Sequence, residues 1–338
     1  MSSTRRGVLR GAAALGGTAL GGVTLVRPAR AAPTKLTITI GSYLITYLPV
    51  LLAGPLGYFK DAGLDVTVQN IQGGGGKAMQ ALLGGSSDIV AGYFDHTVEV
   101  RAQNQDVVSF VLLSRYPGMV LAVRADLADT VNSAKDLVGH RIGIVGLGAS
   151  GDFFIRYYAK RSGIDPSSLR LVGVGSGNTA VASIENKLVD AIVTFDPAAT
   201  LMQSRGLTHT LVDCRTKAGT EAAFGGPYAG ATLYSKGGTL AAQPDTMRSV
   251  AAAMKKALHF IAISTPEQIV SALRPEDVLG DRSAFTTMIK ESVDMFSPDG
   301  AFDLADLQTP LTVLQAVVPS VAGVKVDLSK TYTNNFVR

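Results

Sequence analysis

The chain has 338 residues, 46% of them hydrophobic and 17% charged, with a formal net charge of +4. That is ample apolar material for one large or two medium domains. Its one cysteine, Cys214, excludes an internal disulfide and a cysteine-based metal cluster.

Residues 1–31 read as an export signal. Thr4-Arg5-Arg6-Gly7-Val8-Leu9-Arg10 follows the twin-arginine pattern, with Val8 where Phe is usual, and leads into a Gly/Ala-rich apolar run over 11–26. Ala29-Arg30-Ala31 then supplies a cleavage signal, placing the cut near Ala31-Ala32. The run is shorter than the roughly 20 residues that span a bilayer. General secretion is the alternative route, and either route ends outside the cytoplasm. The signal carries five of the 31 Lys and Arg and no acid, leaving 26 bases against 27 acids, a balance of about −1. The basic character therefore belongs to the signal, and nucleic acid is not an expected partner. No cysteine closes the signal, so the mature chain is expected free in the periplasm, without a lipid anchor or membrane span, and monomeric.

The next elements alternate. A strand over 37–40, a helix over 49–61, a strand over 65–69, a helix over 77–83 and a strand over 88–91 form one unit. The same grammar returns with strands at 141–145, 170–174 and 191–193 around helices at 151–162 and 179–187. Short β-branched strands alternating with helical patterns predict βαβ units and parallel sheets. Extended runs at 107–114 and 119–124 lie between the units, and another at 230–235 follows them. Helices are expected over 244–262, 266–273, 282–295 and 304–317. The chain is thus read as an export signal over 1–31, a first lobe from 35–118 and 228–338, and a second lobe over 119–227. A single doubly wound domain with a helical tail is the simpler alternative.

Gly146-Leu-Gly148-Ala-Ser-Gly151 after the strand at 141–145 fits G-x-G-x-x-G, a turn that brings backbone N–H groups to an anion. A dinucleotide site also needs an acid at the end of the next strand, about 20 residues on. Here that strand runs into Gly175-Ser-Gly-Asn178.

The block from Leu48 to Val68, with Gly57-Tyr58-Phe59 followed by Gly63-Leu64 and a strand, resembles the opening of the nitrate/sulfonate/taurine-type solute-binding proteins of ABC importers. The stretches 78–95, 136–144 and 163–196 are similar to later blocks of that family, and the resemblance covers about 35–235. It implies a type II periplasmic binding fold: two α/β lobes of mostly parallel sheet flanked by helices, two crossing segments, and a ligand in the cleft between. The extended family includes enzymes making the thiamine pyrimidine, whose cysteine-rich motif is missing from this single-cysteine chain.

Ligands of open parallel sheets sit beyond the carboxyl ends of the strands. That rule selects Ser42, Tyr43, Gly73, Gly74, Tyr93, Phe94 and Asp95 in the first unit, and Gly148, Ser150, Gly151, Phe195 and Asp196 in the second. Arg115 and Tyr116 lie between the lobes, and Tyr228 at the return. Ser42 and Ser150 suit either a turn or helix cap or a ligand donor. The rings suit either core or cleft wall. Arg115 is the candidate bidentate clamp on a carboxylate or sulfonate. Asp95 and Asp196 cap helices, pair with Arg115, or meet an amine. His96, His140, His209 and His259 show no metal-ligand spacing, and no nucleophile–base set stands out. The expectation is a non-enzymatic periplasmic component of an ABC importer, without a cofactor or metal. It would take a small organic anion (a sulfonate, a taurine-like molecule or an aromatic carboxylate) to a permease and its ATPase. The alternative is an exported enzyme of the thiamine-pyrimidine-precursor type or a nicotinamide-dependent oxidoreductase.

Overall fold

The structure, a computed structural model, describes residues 32–278 and 282–338; the export-signal reading of 1–31 lies outside the described residues. The strands are β1 (Thr34–Ile40), β2 (Leu64–Asn70), β3 (Ile89–Tyr93), β4 (Val107–Leu112), β5 (Met119–Arg124), β6 (Arg141–Ile144), β7 (Arg170–Gly173), β8 (Ala191–Phe195), β9 (Thr208–Asp213) and β10 (Ala231–Lys236). They form two five-stranded sheets, ordered β2-β1-β3-β10-β4 and β7-β6-β8-β5-β9.

The two sheets follow one plan. β1 pairs in parallel with β2 and β3, and β6 with β7 and β8. Parallel neighbours need crossover helices, which cover the sheet faces and bury the inner strands. That is why β3 and β8 are short apolar runs in which every residue is buried. The fourth position in each sheet is held by an antiparallel strand, β10 or β5, with a register shift at Leu233/Tyr234 or Leu121/Ala122. Each of these is the first strand after the chain arrives from the other unit.

Residues 113–118 and 225–230 connect the two sheets and lie side by side. Gly230 N donates to the Ser114 carbonyl at 3.0 Å, and Ala231 N to Ser114 Oγ at 2.8 Å. A Cβ on Gly230 would fall 2.4 Å from Ser114 Oγ and from the Tyr116 carbonyl oxygen, so glycine is needed where the segments touch.

The helix expected over 49–61 is two helices, Leu48–Ala53 and Tyr58–Asp61, interrupted at Gly54-Pro55. Gly57 at φ 75° re-enters the second, in a conformation that suits glycine. β9 and the helices Lys217–Phe224 and Gly237–Ala242 are additional to the sequence reading, while Phe94–Ala102 and Ala198–Ser204 give bounds to helices expected only from Asp95 and Asp196 as caps. β9 is an edge strand with no fully buried residue, so it carries no apolar run to detect. Near the C-terminus, Pro244–Ile263 packs on Leu48–Ala53, while Ala305–Val317 rests on both Phe94–Ala102 and Ser150–Arg161. That last helix therefore spans elements of both units. Among the described residues no helix is long and apolar enough to cross a membrane.

Candidate ligand-binding cleft

A cavity of about 440 Å³ opens where the carboxyl ends of both sheets meet. After β1 the first unit contributes Ser42, Tyr43, Leu44 and Ile45, then Leu48 and Leu51 from the following helix. The end of β2 adds Asn70, Gln72 and Gly73. The facing wall is Val145 after β6, Val174–Thr179 after β7, and Pro197 after β8; Glu276, Asp277 and Phe285 close it from the C-terminal region. One side is thus an aliphatic and aromatic surface, and the other a polar turn opening the helix Asn178–Glu185.

The glycines have a steric reason. The N–H groups of Gly73 and Gly74 donate to the Gly41 carbonyl at 2.8 and 3.0 Å. This pulls the start of helix Gly74–Gly84 so close that a Cβ on Gly41 would lie 2.4 Å from the Gly74 carbonyl group. Gly74 in turn sits against Ala149 of the second unit.

A second, smaller cavity of about 20 Å³ shares Ser42, Leu44 and Val145 with the first. Gly74, Gly75, Tyr93 and His96 wall it from one unit, and Ala149, Ser150 and Phe195 from the other. Asp95 is wholly buried beside it. Its carboxylate accepts from Ser150 Oγ at 2.9 Å, from the Tyr228 hydroxyl at 2.8 Å and from His96 Nδ1 at 2.5 Å. The Ser150 bond crosses between the units, as does Ile45 N to the Asp196 carbonyl at 3.0 Å.

Burial, reinforced by Asp95, keeps Tyr228 protonated far above its usual range, so it stays a donor. Burial also raises Tyr93, whose hydroxyl donates to the Pro117 carbonyl at 2.5 Å. For His96, burial disfavours the charged ring, but the charge and hydrogen bond of Asp95, with Glu99 adding, outweigh it. The net effect raises the pKa above the ordinary 6.5.

The cavities gather part of the predicted set. Ser42, Tyr43 and Gly73 line the larger one, and Ser42, Gly74, Tyr93, Ser150 and Phe195 the smaller; Asp95 and Tyr228 stand behind it. Phe94 is buried away from both, 6.1 Å from the Phe302 ring. Arg115, expected as the anion clamp, lines neither cavity. Its Nη2 donates to the Asp294 carbonyl at 2.8 Å and its guanidinium lies 5.4 Å from the Tyr116 ring centroid, so Tyr116 serves Arg115. Asp196 belongs to a buried ion pair with Arg215 at 3.2 Å and caps Thr200 N at 2.9 Å. Gly148 and Gly151 also lie outside both walls.

The glycine hexamer holds an anion of its own. Asp152 accepts from Gly148 N at 2.9 Å and from Arg156 Nε at 2.6 Å, so a backbone donor of the turn is already engaged by a carboxylate. Gly151 is there for packing, since a Cβ would meet Val193 at 3.2 Å. The turn is therefore not built as a dinucleotide site.

Sequence reasoning does not single out Ile45, Leu48 and Leu51, which look like the buried face of a helix. Nor does it find Asp277 and Phe285, which come from a region with no strand ends. His96 reads in the sequence only as part of a helix start. Among the described residues no group of His, Cys, Asp and Glu is placed to hold a metal ion. Cys214 is buried, and burial pushes its thiol pKa well above the ordinary value.

The profile of the NMT1/THI5-like family matches residues 45–269, most of the chain. The chain belongs to this family. A solved structure from Bordetella bronchiseptica resembles this NMT1/THI5-like chain in both fold and sequence: it is 32% identical, with a TM-score of 0.86 over 91% of this chain and 96% of that one. YtlA of Bacillus subtilis, named as a putative binding protein, is 26% identical over 279 residues, 79% of this chain and 78% of its own length. The 4-amino-5-hydroxymethyl-2-methylpyrimidine phosphate synthase of Legionella pneumophila is 28% identical over 149 residues, 43% of this chain and 45% of the synthase. The fold is that of periplasmic binding proteins. The alkanesulfonate-binding protein SsuA from Xanthomonas axonopodis pv. citri, solved with MOPS bound, superposes with a TM-score of 0.71 over 90% of this chain and all (100%) of that one, at 14% identity.

Proposed function

We propose that this NMT1/THI5-like chain is the solute-binding component of an ABC-type importer, acting outside the cytoplasmic membrane. Its solute would be a small organic molecule with an anionic group. The observation that carries the reading is the cavity of about 440 Å³ walled by strand ends of both units, which are joined by two adjacent segments. Such a site is made by bringing two lobes together, so solute contacts shift the chain toward the closed form and a permease recognises that form. Leu44, Ile45, Leu48, Leu51 and Phe285 suit an apolar or aromatic body. Helices Gly74–Gly84 and Asn178–Glu185 begin at the wall, and helix starts offer N–H groups and positive dipole ends to an anion. The one buried acid of the wall, Asp277, is neutralised by Arg274 at 2.7 Å. In this reading the protein works as a monomer with no cofactor, and the signal over 1–31 is removed on export.

The partial likeness to the pyrimidine phosphate synthase supports a second reading, in which a neutral aminopyrimidine is held by Asn70, Gln72 and Asn178. Titration calorimetry and thermal shifts on the mature chain separate the two. The solutes are alkyl and aromatic sulfonates, taurine, nitrate, aromatic carboxylates, 4-amino-5-hydroxymethyl-2-methylpyrimidine and NAD. A solute at 100 times its dissociation constant adds about 2.7 kcal/mol of stability. Binding of one anion class without turnover supports the importer reading. Binding of the pyrimidine alone, or appearance of a phosphorylated product, replaces it.

A further inference from the structure

The smaller cavity contains an imbalance that the fold does not resolve internally. His96 is 1% exposed, and its Nε2 has no hydrogen-bond partner. Buried polar atoms are almost always paired, and an orphan needs an explanation. Nδ1 is committed to Asp95, so the opposite edge of the ring, Nε2, faces Gly75 at the start of helix Gly74–Gly84. A Cβ on Gly75 would stand 2.2 Å from Nε2; glycine there lets the helix start come against the ring.

Two sources of positive potential meet at this point. The first is the start of the eleven-residue helix Gly74–Gly84, whose first turn carries no acid, whereas the facing start of helix Ser150–Arg161 already carries Asp152. The second is the His96 edge. The first turn of a helix leaves N–H groups without intrahelical acceptors. Gly73 and Gly74 give theirs to Gly41, which leaves Gly75 and Gly76 as the next donors in line. Of the two acids that act on the ring, Asp95 already accepts from three donors and lies on the Nδ1 side, and Glu99 stands four residues further along the same helix. A space of about 20 Å³ admits one atom of the size of a water oxygen.

We infer that the small cavity beside His96 is a subsite taking a single anionic oxygen of the bound solute, a carboxylate or sulfonate oxygen, with Nε2–H of His96 as the donor. The subsite shares walls with the main cavity, so one solute reaches both: its body against Leu44 and Ile45, its charged end against His96 and Gly75. His96 thereby sets specificity, and the inference rests on the solute-binding reading above. The raised His96 pKa, held up by Asp95 and Glu99 against the cost of burial, agrees with a ring that donates from both nitrogens.

The test is nitrogen NMR of the mature chain labelled on its four histidines, with the His96 signals identified by their loss in His96→Gln. The probes are formate, benzoate, benzenesulfonate and the neutral isostere benzamide, and methyl signals of Ile45 report the main cavity. The expected result is a shift of the His96 Nε2 signal with formate and both aromatic anions but not with benzamide. Benzoate should also bind about ten- to a hundredfold tighter than benzamide, the span of a charge-assisted hydrogen bond. His96→Gln should remove most of that preference. If the aromatic probes move Ile45 while His96 stays silent, the subsite is refuted and the solute-binding reading stands. Silence of His96 toward every anion at saturation refutes the subsite; where His96→Gln does not fold, the His96 signals are those that survive in each of His140→Gln, His209→Gln and His259→Gln. Silence of both reporters toward the probes and toward the full solute panel removes the binding reading and the subsite with it.

Discussion

Asp190 ties three strands of the second sheet with one carboxylate. It accepts from Arg141 Nη2 at 2.8 Å and Arg141 N at 2.9 Å on β6, and from Arg124 Nη1 at 3.1 Å on β5, while leading into β8 itself. The Arg141 hydrogen bonds, with Arg124 assisting, outweigh its partial burial and lower its pKa from 3.8 to about 2. A carboxyl with a lowered folded-state pKa contributes stability that is present above the unfolded value and lost as pH falls through the folded one. Asp190→Asn should therefore lower Tm by a few degrees at pH 7. It should also flatten the acid side of the Tm–pH curve between about 4 and 2, where the wild-type contribution disappears. Asp245→Asn is the comparison: that carboxylate is 95% exposed beside Arg248, and a solvated pair of this kind contributes little. Equal Tm losses in the two variants across pH would mean that Asp190 is an ordinary surface charge.

At the scale of elements, the junction of β1 with helix Gly74–Gly84 decides whether the cleft forms. A Cβ at Gly41 would press on Gly74 backbone, which has no rotamer to escape into, so Gly41→Ala should cost about 1–3 kcal/mol, the usual range for overpacking. Gly54 has an ordinary φ of −67° and nothing within 4 Å of where a methyl group would stand, so Gly54→Ala should leave stability unchanged or slightly raised. Thermal melts of both variants check this, and similar losses would refute the steric reading of Gly41. The Gly73–Gly76 run reads in the sequence as a loop, flexible or donating to an anion, ahead of a helix at 77–83, whereas the helix takes in the glycines and starts at Gly74. Ser42 and Ser150 are legible because strand ends bound the cleft. Arg115 is not placed by its sequence position: lying between the lobes suggests a clamp, whereas its Nη2 donates to the Asp294 carbonyl and it lines neither cavity. Leu48 and Leu51 are hidden for the opposite reason, since a leucine facing a cavity and one facing the core have the same spacing. His96 needs three dimensions, because its significance lies in Gly75 and Ser150 being brought to the same place.

Under the proposed importer reading, the two units close on the solute along a seam of directional contacts. Ser150 Oγ to Asp95 and Ile45 N to the Asp196 carbonyl join the units beside the cavities, with Gly74 packed on Ala149. Solute affinity includes the free energy of closing, so any bond made only across the closed seam strengthens binding of every solute by the same factor. Ser150→Ala removes one such bond and leaves Asp95 with Tyr228 and His96 as donors. A hydrogen bond to a charged group is typically worth about 1.5–3 kcal/mol, or roughly ten- to a hundredfold in affinity. If the solute enters before the seam forms, the loss should appear in the dissociation rate and leave the association rate nearly unchanged. Stopped-flow measurements with two bound solutes of different size distinguish this from direct contact. A common factor for both places Ser150 in the seam, whereas a loss confined to one solute places its hydroxyl on that ligand. Slower association would mean that the seam forms before the solute arrives, and that closure limits entry.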